Sequence, residues 1–246
     1  MSGLNDRLPQ FFSLLTAATA CCLLAFAPAA PAQTNVALTI IYTFSRTVSS
    51  TNADGAFPSA ALLLGPDRAF YGTAFQGGAF GYGTVFRVTP SGSFKTLAHF
   101  DGTNGRGPTT PLICGLDGAL YGTTQNGGTN NYGTVFRITT NGTLTSLYSF
   151  SGGLDGQYAT SGLVQSPAGP LYGLTESGGT NGYGTVFRIT TNGVFTRLFS
   201  FSGTNGASPR AALLQLVDDN GNFVGTTYSG GTCGAGTLFK FAPRAF

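Results

Sequence analysis

The chain has 246 residues, of which 9% are charged and 38 are glycine, and its formal net charge at pH 7 is +3. Because soluble domains usually carry about 25% charged residues, we expect a surface of Thr, Ser and Asn, with Gly supplying tight turns. The basic residues are spread thinly along the sequence, which argues against nucleic acid or an anionic membrane surface as a partner.

The first 32 residues have the pattern of an export signal. Arg7 precedes the apolar run "FFSLLTAATACCLLAFAP", and the small residues "APAAPA" precede Gln33. The run is short and rich in Ala, Ser and Thr, unlike a membrane span of roughly 20 apolar residues. We therefore predict a signal peptide over 1–32 and one exported domain over 33–246 with no membrane span. In that domain Cys114 and Cys233 are too few for a disulfide framework.

One phrase recurs along the rest of the chain. "YGTVFRITTNG" begins at Tyr132 and again at Tyr183, with near-copies at Tyr82 and Gly236. The glycine that opens the "GTVF" part of the phrase repeats every 50 to 52 residues, at Gly83, Gly133, Gly184 and Gly236. Self-similarity at such a period is typical of solenoids and propellers.

Each of the first three repeats contains four short strand candidates separated by turn residues. In the third repeat they are "SGLVQS", "PLYGLTE", "GTVFRIT" and "VFTRLFSF". The Asn-Gly pairs at Asn141 and Asn192 predict type I′ hairpin turns, in which both central residues have positive φ. Four antiparallel strands in about 50 residues match the size of a kelch-like propeller blade.

The fourth repeat stops after its third strand, so its partner must come from elsewhere. The segment "ALTIIYTF" places Leu38, Ile41 and Phe44 at the spacing of fourth-strand residues such as Leu144, Leu147 and Phe150. We therefore predict an all-β, four-bladed β-propeller in which an N-terminal strand completes the last blade. The predicted blades cover 57–100, 108–150, 158–201, and 209–241 together with 37–44. A solenoid of stacked repeats, or two chains that form a larger ring, stays open.

The repeated phrase "GGTNxYGTVFRITTNGxxTxLxSF" resembles the tandem repeat of the GloVer (Gloeo/Verruco) group, whose members are exported bacterial proteins that usually carry a C-terminal surface anchor. The resemblance covers nearly all of the chain after the signal and implies a cell-surface location. No sorting motif follows "APRAF", so secretion and periplasmic residence stay open. The resemblance implies no particular chemistry.

Candidate binding residues are those that break the repeat on one face. The loops between blades and the loops between second and third strands should emerge on the same side, and they vary most. Glu176 stands there where the other repeats have Gln76, Gln125 and Tyr228. Asp54 and Asp155 alternate with Asn104 and Asn205 in a turn, which a catalytic acid would not tolerate. The candidate ligand-binding residues are Arg46, Asp54, Asp101, Arg106, Asp155, Tyr158, Glu176 and Arg210.

The sequence favours an exported, non-enzymatic protein that binds a polysaccharide or a cell-surface protein through this varied face. His99 is the single histidine, and it aligns with Thr43, Ser149 and Ser200, so a structural role at a strand end explains it. No catalytic residues, metal ligands or cofactor are predicted. Two alternatives stay open: a carbohydrate-active hydrolase or lyase that pairs Glu176 or Asp101 with a second carboxylate, and a purely structural surface protein.

Overall fold

The computed structural model describes residues 37–216 and 221–243. The chain divides into two compact units, Met1–Thr39 and Ile40–Phe246. Of the first unit the structure describes residues 37–39, which are exposed. The predicted signal peptide lies outside the described residues. In the described part of the chain, no helix is long and apolar enough to cross a membrane.

The second unit is all-β and consists of four antiparallel sheets, one for each repeat, which we call blades 1 to 4. The strands of blade 1 are β1 (Leu63–Leu64), β2 (Phe70–Ala74), β3 (Thr84–Val88) and β4 (Phe94–His99), and those of blade 2 are β5 (Ile113–Cys114), β6 (Leu120–Thr124), β7 (Thr134–Ile138) and β8 (Leu144–Ser149). Blade 3 has β9 (Val164–Gln165), β10 (Leu171–Thr175), β11 (Thr185–Ile189) and β12 (Phe195–Ser200), and blade 4 has β13 (Leu214–Gln215), β14 (Phe223–Thr227) and β15 (Thr237–Phe241). Neighbouring strands in each sheet follow one another in the sequence. These sheets confirm the predicted propeller architecture.

The core lies between blades rather than inside one blade. One buried cluster joins Tyr71 and Val85 of blade 1 to Leu112 and Phe136 of blade 2. Two further clusters join blade 2 to blade 3 and blade 3 to blade 4 in the same way. A single blade cannot bury its own apolar faces, so each repeat depends on its neighbours for stability.

Buried threonines help to explain why this protein can fold with so few charged residues. The hydroxyl groups of Thr175 and Thr185 lie 2.8 Å apart across neighbouring strands, and Thr124 and Thr134 form the same pair at 2.9 Å. All four side chains are buried. Paired hydroxyls satisfy their own hydrogen bonds, which keeps the cost of burial low, and β-branched Thr suits a strand.

The hairpins between third and fourth strands differ from the predicted turn type. The N–H of Thr139 donates to the Thr143 carbonyl at 3.0 Å, and the N–H of Gly142 donates to the Thr139 carbonyl at 2.9 Å. Gly142 has φ +106°, whereas Asn141 does not have a positive φ. The type I′ prediction is therefore wrong: the loop spans three residues, and such loops place a single residue, here Gly, in the left-handed region.

The prediction that an N-terminal strand completes blade 4 is also wrong. Blade 4 is a three-stranded sheet of β13, β14 and β15, and residues 40–44 form no strand. Instead, Tyr42 and Phe44 pack on the apolar side of blade 1 against Phe86 and Phe94. Aromatic burial fixes this segment to blade 1, while no described residue pairs with the outer edge of β15.

Cys114 and Cys233, the two cysteines of the predicted exported domain, are free thiols on the surface. Cys114 ends the short strand β5, and Cys233 lies in the loop between β14 and β15. Neither belongs to a cluster of metal-binding side chains, since the described residues contain no group of three or more His, Cys, Asp or Glu that could hold a metal ion.

Candidate functional site

The loops between blades and the loops between second and third strands lie together on one side, which we call the loop face. In every blade a short antiparallel bridge joins the loop that precedes the blade to the loop between its second and third strands. The four bridges pair Ala56 with Gln76, Arg106 with Asn126, Gln157 with Ser177, and Ala207 with Ser229. The repeated backbone thus holds side chains that differ from blade to blade.

A second backbone contact on the loop face ties each of blades 2, 3 and 4 to the blade before it. The N–H of Tyr158 donates to the Tyr132 carbonyl of blade 2 at 2.9 Å, and its own carbonyl accepts from the N–H of Glu176 at 3.0 Å. Tyr158 has φ +59°, and the equivalent Phe57 has φ +56°. Such a backbone costs a bulky residue about 1–3 kcal/mol, so the link between blades 2 and 3 holds Tyr158 in a conformation that its side chain disfavours.

These hydrogen bonds also correct the alignment of the repeats at Glu176, which the sequence pattern matches with Gln76 of blade 1. The carbonyl groups equivalent to that of Tyr158 accept from the N–H groups of Phe75, Gln125 and Tyr228. The blade 1 counterpart of Glu176 is therefore Phe75, and not Gln76. A one-residue shift is easily made in a Gly-rich loop, where neither side chains nor strand periodicity fix the alignment.

The aspartates of the candidate set are engaged within their own loops. Asp54 is 4% exposed and accepts hydrogen bonds from the Tyr42 hydroxyl and the Ser45 N–H, both at 2.7 Å. Asp155 accepts in the same way from the Tyr148 hydroxyl at 2.8 Å and the Ser151 N–H at 2.7 Å.

The pKa shifts in this loop follow from burial and hydrogen bonding. Burial acts to raise the pKa of Asp54, but the hydrogen bonds from Ser45 and Tyr42 outweigh it and hold the pKa below its ordinary value. Burial and the bond to Asp54 raise the pKa of Tyr42 to about 12. The pair therefore stays as a carboxylate and a neutral phenol at physiological pH.

Asp101 has a similar local role. Its carboxylate accepts from the N–H and hydroxyl of Thr103, each at 2.8 Å, and from the N–H of Asn104 at 2.9 Å. Burial acts to raise the pKa of Asp101, but these contacts with Asn104 and Thr103 lower it overall. An Asp that accepts from the backbone two and three residues ahead is a common turn arrangement.

Glu176 and Arg210 form an ion pair between blades 3 and 4. The terminal and Nε nitrogens of Arg210 lie 2.7 and 3.0 Å from one carboxylate oxygen of Glu176. The guanidinium also lies over the ring of Tyr228, 4.3 Å from its centroid. Sequence reasoning selected both charged residues, and the structure brings them together.

Arg106 occupies a different setting between blades 1 and 2. Its guanidinium lies 4.9 Å from the ring centroid of Tyr82. Among the described residues it forms no ion pair, since the ion pairs there involve Arg87, Arg137 and Arg210. It borders a cavity of about 230 Å³ whose lining includes Phe75, Gln76, Phe80, Tyr82 and Asn126.

The side chains of two predicted residues, Arg46 and Tyr158, lie outside both the ion pair of Glu176 with Arg210 and the cavity beside Arg106. Arg46 is exposed in the loop before blade 1. Tyr158 contacts Tyr132 edge-on at a ring distance of 6.1 Å between blades 2 and 3. Sequence reasoning did not select Phe75, Gln76 and Asn126 as binding residues. Each of them nevertheless lies beside a residue that differs from its equivalents in the other repeats.

The fold and its repeated junctions define a propeller-type repeat protein. A model of the Gloeobacter/Verrucomicrobia repeat matches residues 33–167 and, in a second copy, residues 117–246. The chain belongs to this repeat family, as the recurring phrase predicted. A search of curated proteins gave no match.

Several solved structures are similar to the chain at low identity. Virginiamycin B lyase from Staphylococcus aureus is 18% identical with a TM-score of 0.43, and the match covers 76% of this chain and 56% of the lyase. A gluconolactonase from Xanthomonas campestris is 17% identical with a TM-score of 0.46, covering 74% and 61%. An extracellular domain from B. thetaiotaomicron is 15% identical with a TM-score of 0.49, covering 77% and 21%.

This chain spans about half the length of the lyase and about a fifth of the extracellular domain. All three TM-scores are below 0.5, so the assignment of propeller blades rests on the sheets of this chain.

Proposed function

We propose that this protein is exported and binds an acidic glycan through its loop face, without catalysis. The observation that carries the proposal is the cavity between blades 1 and 2, where Arg106 lies over Tyr82 without an ion pair. The binding residues are Arg106 and Tyr82, with Phe75, Phe80, Gln76 and Asn126 around them.

The chemistry of this cavity suits a sugar that carries a carboxylate. Aromatic rings offer flat apolar surface to the C–H face of a sugar ring, while a guanidinium binds a carboxylate through two parallel hydrogen bonds. The amides of Gln76 and Asn126 supply donors and acceptors for hydroxyl groups. At about 230 Å³ the cavity is smaller than a typical drug-sized site of about 300–1,000 Å³, so one monosaccharide unit would enter it.

Binding is favoured over hydrolysis because the candidate acids are already engaged. Glu176 is paired with Arg210, and Asp101 accepts three hydrogen bonds from its own turn. A glycosidase needs one carboxyl group held protonated with a raised pKa and a second about 5–10 Å away, whereas the pKa of Asp101 is lowered.

The experiment is a binding panel with the purified secreted protein. Polygalacturonate, alginate and peptidoglycan provide carboxylates, and xylan and cellulose serve as neutral polymers. We expect retention on one or more acidic polymers, weakened by salt because the contact is ionic, and no release of reducing ends or unsaturated products. Intact mass should place the mature N-terminus at Gln33, as expected after removal of a signal peptide.

The variant Arg106→Ala should weaken retention at least tenfold, and Arg106→Lys should recover it only in part because an ammonium group lacks the planar fork. The control is Arg68→Ala, which removes the same charge from an exposed turn between β1 and β2. An equal loss of retention with both variants would show that the effect comes from net charge and not from the site at Arg106. Product release would establish the hydrolase or lyase, and no retention on any polymer would favour a structural surface protein.

A further inference from the structure

The last blade exposes a face that the other blades bury. Leu238 of β15 is 77% exposed, whereas its equivalents in β3, β7 and β11 are nearly inaccessible: Val85 and Val135 are 0% and Val186 is 2% exposed. In blades 1 to 3 this residue belongs to the cluster shared with the following blade. Leu238 therefore occupies a position built to contact a further blade.

The first blade exposes the complementary face. Leu62 is 54% exposed, whereas its equivalents Leu112, Leu163 and Leu213 are 3%, 3% and 4% exposed. Those three leucines contact the preceding blade, and each shares a buried cluster with the third-strand valine described above. The two exposed ends thus carry the two halves of one blade-to-blade interface.

The segment before blade 1 already has the packing of a fourth strand. Tyr42 stacks on Phe94 with ring centroids 3.9 Å apart, just as Tyr148 of blade 2 stacks on Phe195 of blade 3 at 4.0 Å. Phe44 contacts Phe86 at 5.2 Å, and its counterpart Phe150 contacts Phe187 at 5.4 Å.

The backbone of this segment follows the same equivalence. A Cβ added to Gly92 would lie 2.8 Å from the Ile41 carbonyl oxygen, as one added to Gly193 would lie 2.9 Å from that of Leu147. Residues 40–44 therefore sit on blade 1 where a preceding blade would place its fourth strand, although no strand pairs with them.

The outer edge of β15 offers the matching strand position. Beside it lies an apolar cavity of about 320 Å³ whose lining includes Phe199, Phe201, Phe239 and Phe241. Phe199 is the counterpart of Tyr148, and it is 46% exposed, while Tyr148 is covered by the fourth-strand residue Phe195. A fourth strand on β15 would cover this cavity.

We propose that a second copy of this chain supplies that strand, and that two copies associate head to tail into one ring of eight blades. Residues 40–44 of each copy pair with β15 of the other, and blade 4 of each copy stacks on blade 1 of the other. The register follows from blade 1, where Val85 pairs with Ala98 and Phe86 with Thr96. By equivalence Leu238 pairs with Tyr42, and Phe239 with Ile40.

A head-to-tail contact between different surfaces either closes into a ring or continues as a filament. Eight blades lie within the usual range of about four to eight for propellers, so two copies suffice for closure. The ring would bury Leu62 and Leu238 of both copies and cover the outer edge of β15. Exposed strand edges are a recurrent route to aggregation.

The test begins with the molar mass of the secreted protein from light scattering after size exclusion. The full chain has a mass of 25.2 kDa, and we expect twice the mass of the mature chain, with a shift toward one copy on dilution. A monomer at all concentrations would overturn the proposal, as would a mass that grows beyond two copies without a plateau.

Two charged variants then identify the interface. Leu238→Lys and Leu62→Glu each replace an exposed residue, so the single chain should fold, but each should halve the observed mass. Mixing the two variants should restore the two-copy mass. In a head-to-tail ring the lysine of one copy then meets the glutamate of the other, while unaltered leucines meet at the second junction. Failure to recover in the mixture would overturn the head-to-tail arrangement.

The control variant is Leu116→Lys. Leu116 is 71% exposed, close to the value for Leu238, but it lies in the turn between β5 and β6, away from both ends of the blade series. This variant should keep the two-copy mass. If it also produced single copies, the effect of Leu238→Lys would come from added charge and the proposed interface would be wrong.

Discussion

At the residue scale, the role of a side chain becomes clear when it is compared with its equivalents in the other repeats. His99 accepts a hydrogen bond at Nδ1 from the N–H of Ala79 at 3.1 Å. Ser149 and Ser200 accept at Oγ from Thr129 and Thr180 at 2.8 and 3.2 Å. The histidine thus ties a strand end to a loop, the structural role that its alignment with Ser149 and Ser200 predicted.

This role predicts a pH dependence. Burial lowers the pKa of His99 below its ordinary value of 6.5, so the unfolded state binds the proton more readily and stability falls as the pH drops below about 6.5. Protonated Nδ1 also cannot accept the Ala79 N–H. The variant His99→Ser should fold, and it should lose this part of the pH dependence when denaturant midpoints are compared between about pH 7.5 and pH 5. An unchanged pH profile would contradict the assignment.

At the scale of the strand and hairpin, the glycine of the recurring phrase has two separate roles. Gly142 needs the left-handed backbone that ends the three-residue loop, and it also lies against the preceding blade. A Cβ there would come within 2.6 Å of the Leu97 carbonyl oxygen. The phrase is therefore repeated both because each blade needs a hairpin and because that hairpin must approach its neighbour.

A matched pair of variants separates these two roles. Gly142 and Gly169 share φ +106°, but a Cβ on Gly169 would meet nothing within 4 Å. Gly142→Ala and Gly169→Ala therefore impose the same backbone strain, and the first adds a collision that should cost about 1–3 kcal/mol more. Urea unfolding of both variants measures the difference. Equal destabilisation would show that the close approach between blades is unimportant.

At the scale of the whole molecule, stability depends on contacts between blades. Phe150 is 0% exposed and contacts Phe187 and Phe195 of the next blade at ring distances of 5.4 and 5.8 Å. Phe150→Ala should destabilise the protein by about 3–5 kcal/mol, because it opens a cavity in a junction that cannot collapse freely.

The control for this prediction is Val194→Ala, in an exposed hairpin where Val194 is 60% exposed. Its effect on the free energy of unfolding should stay within about 0.5 kcal/mol. Thermal and urea unfolding should rank the two variants in this order. A small effect at Phe150 would mean that the blades fold as independent units, contrary to the shared clusters.

Much of this architecture could be predicted because the repeat is long and nearly regular. The positions of Gly83, Gly133, Gly184 and Gly236 predicted the number of blades and the approximate bounds of their strands. The turn type at Asn141 was missed because the Asn-Gly pair alone does not state whether the loop has two or three residues. The pairing of Glu176 with Arg210 could not be predicted, since the two residues lie in different blades and neither repeats.

The sequence by itself determined the repeat family, the all-β blades and the loops that vary, because local turn chemistry and strand alternation recur in every copy. Only the tertiary structure decided that Tyr42 and Phe44 bind blade 1 without closing blade 4, and that Arg106 lies over Tyr82 beside a cavity. These outcomes depend on how successive blades stack and on which aromatic surfaces meet, and the spacing of residues along the chain does not encode the angle between blades.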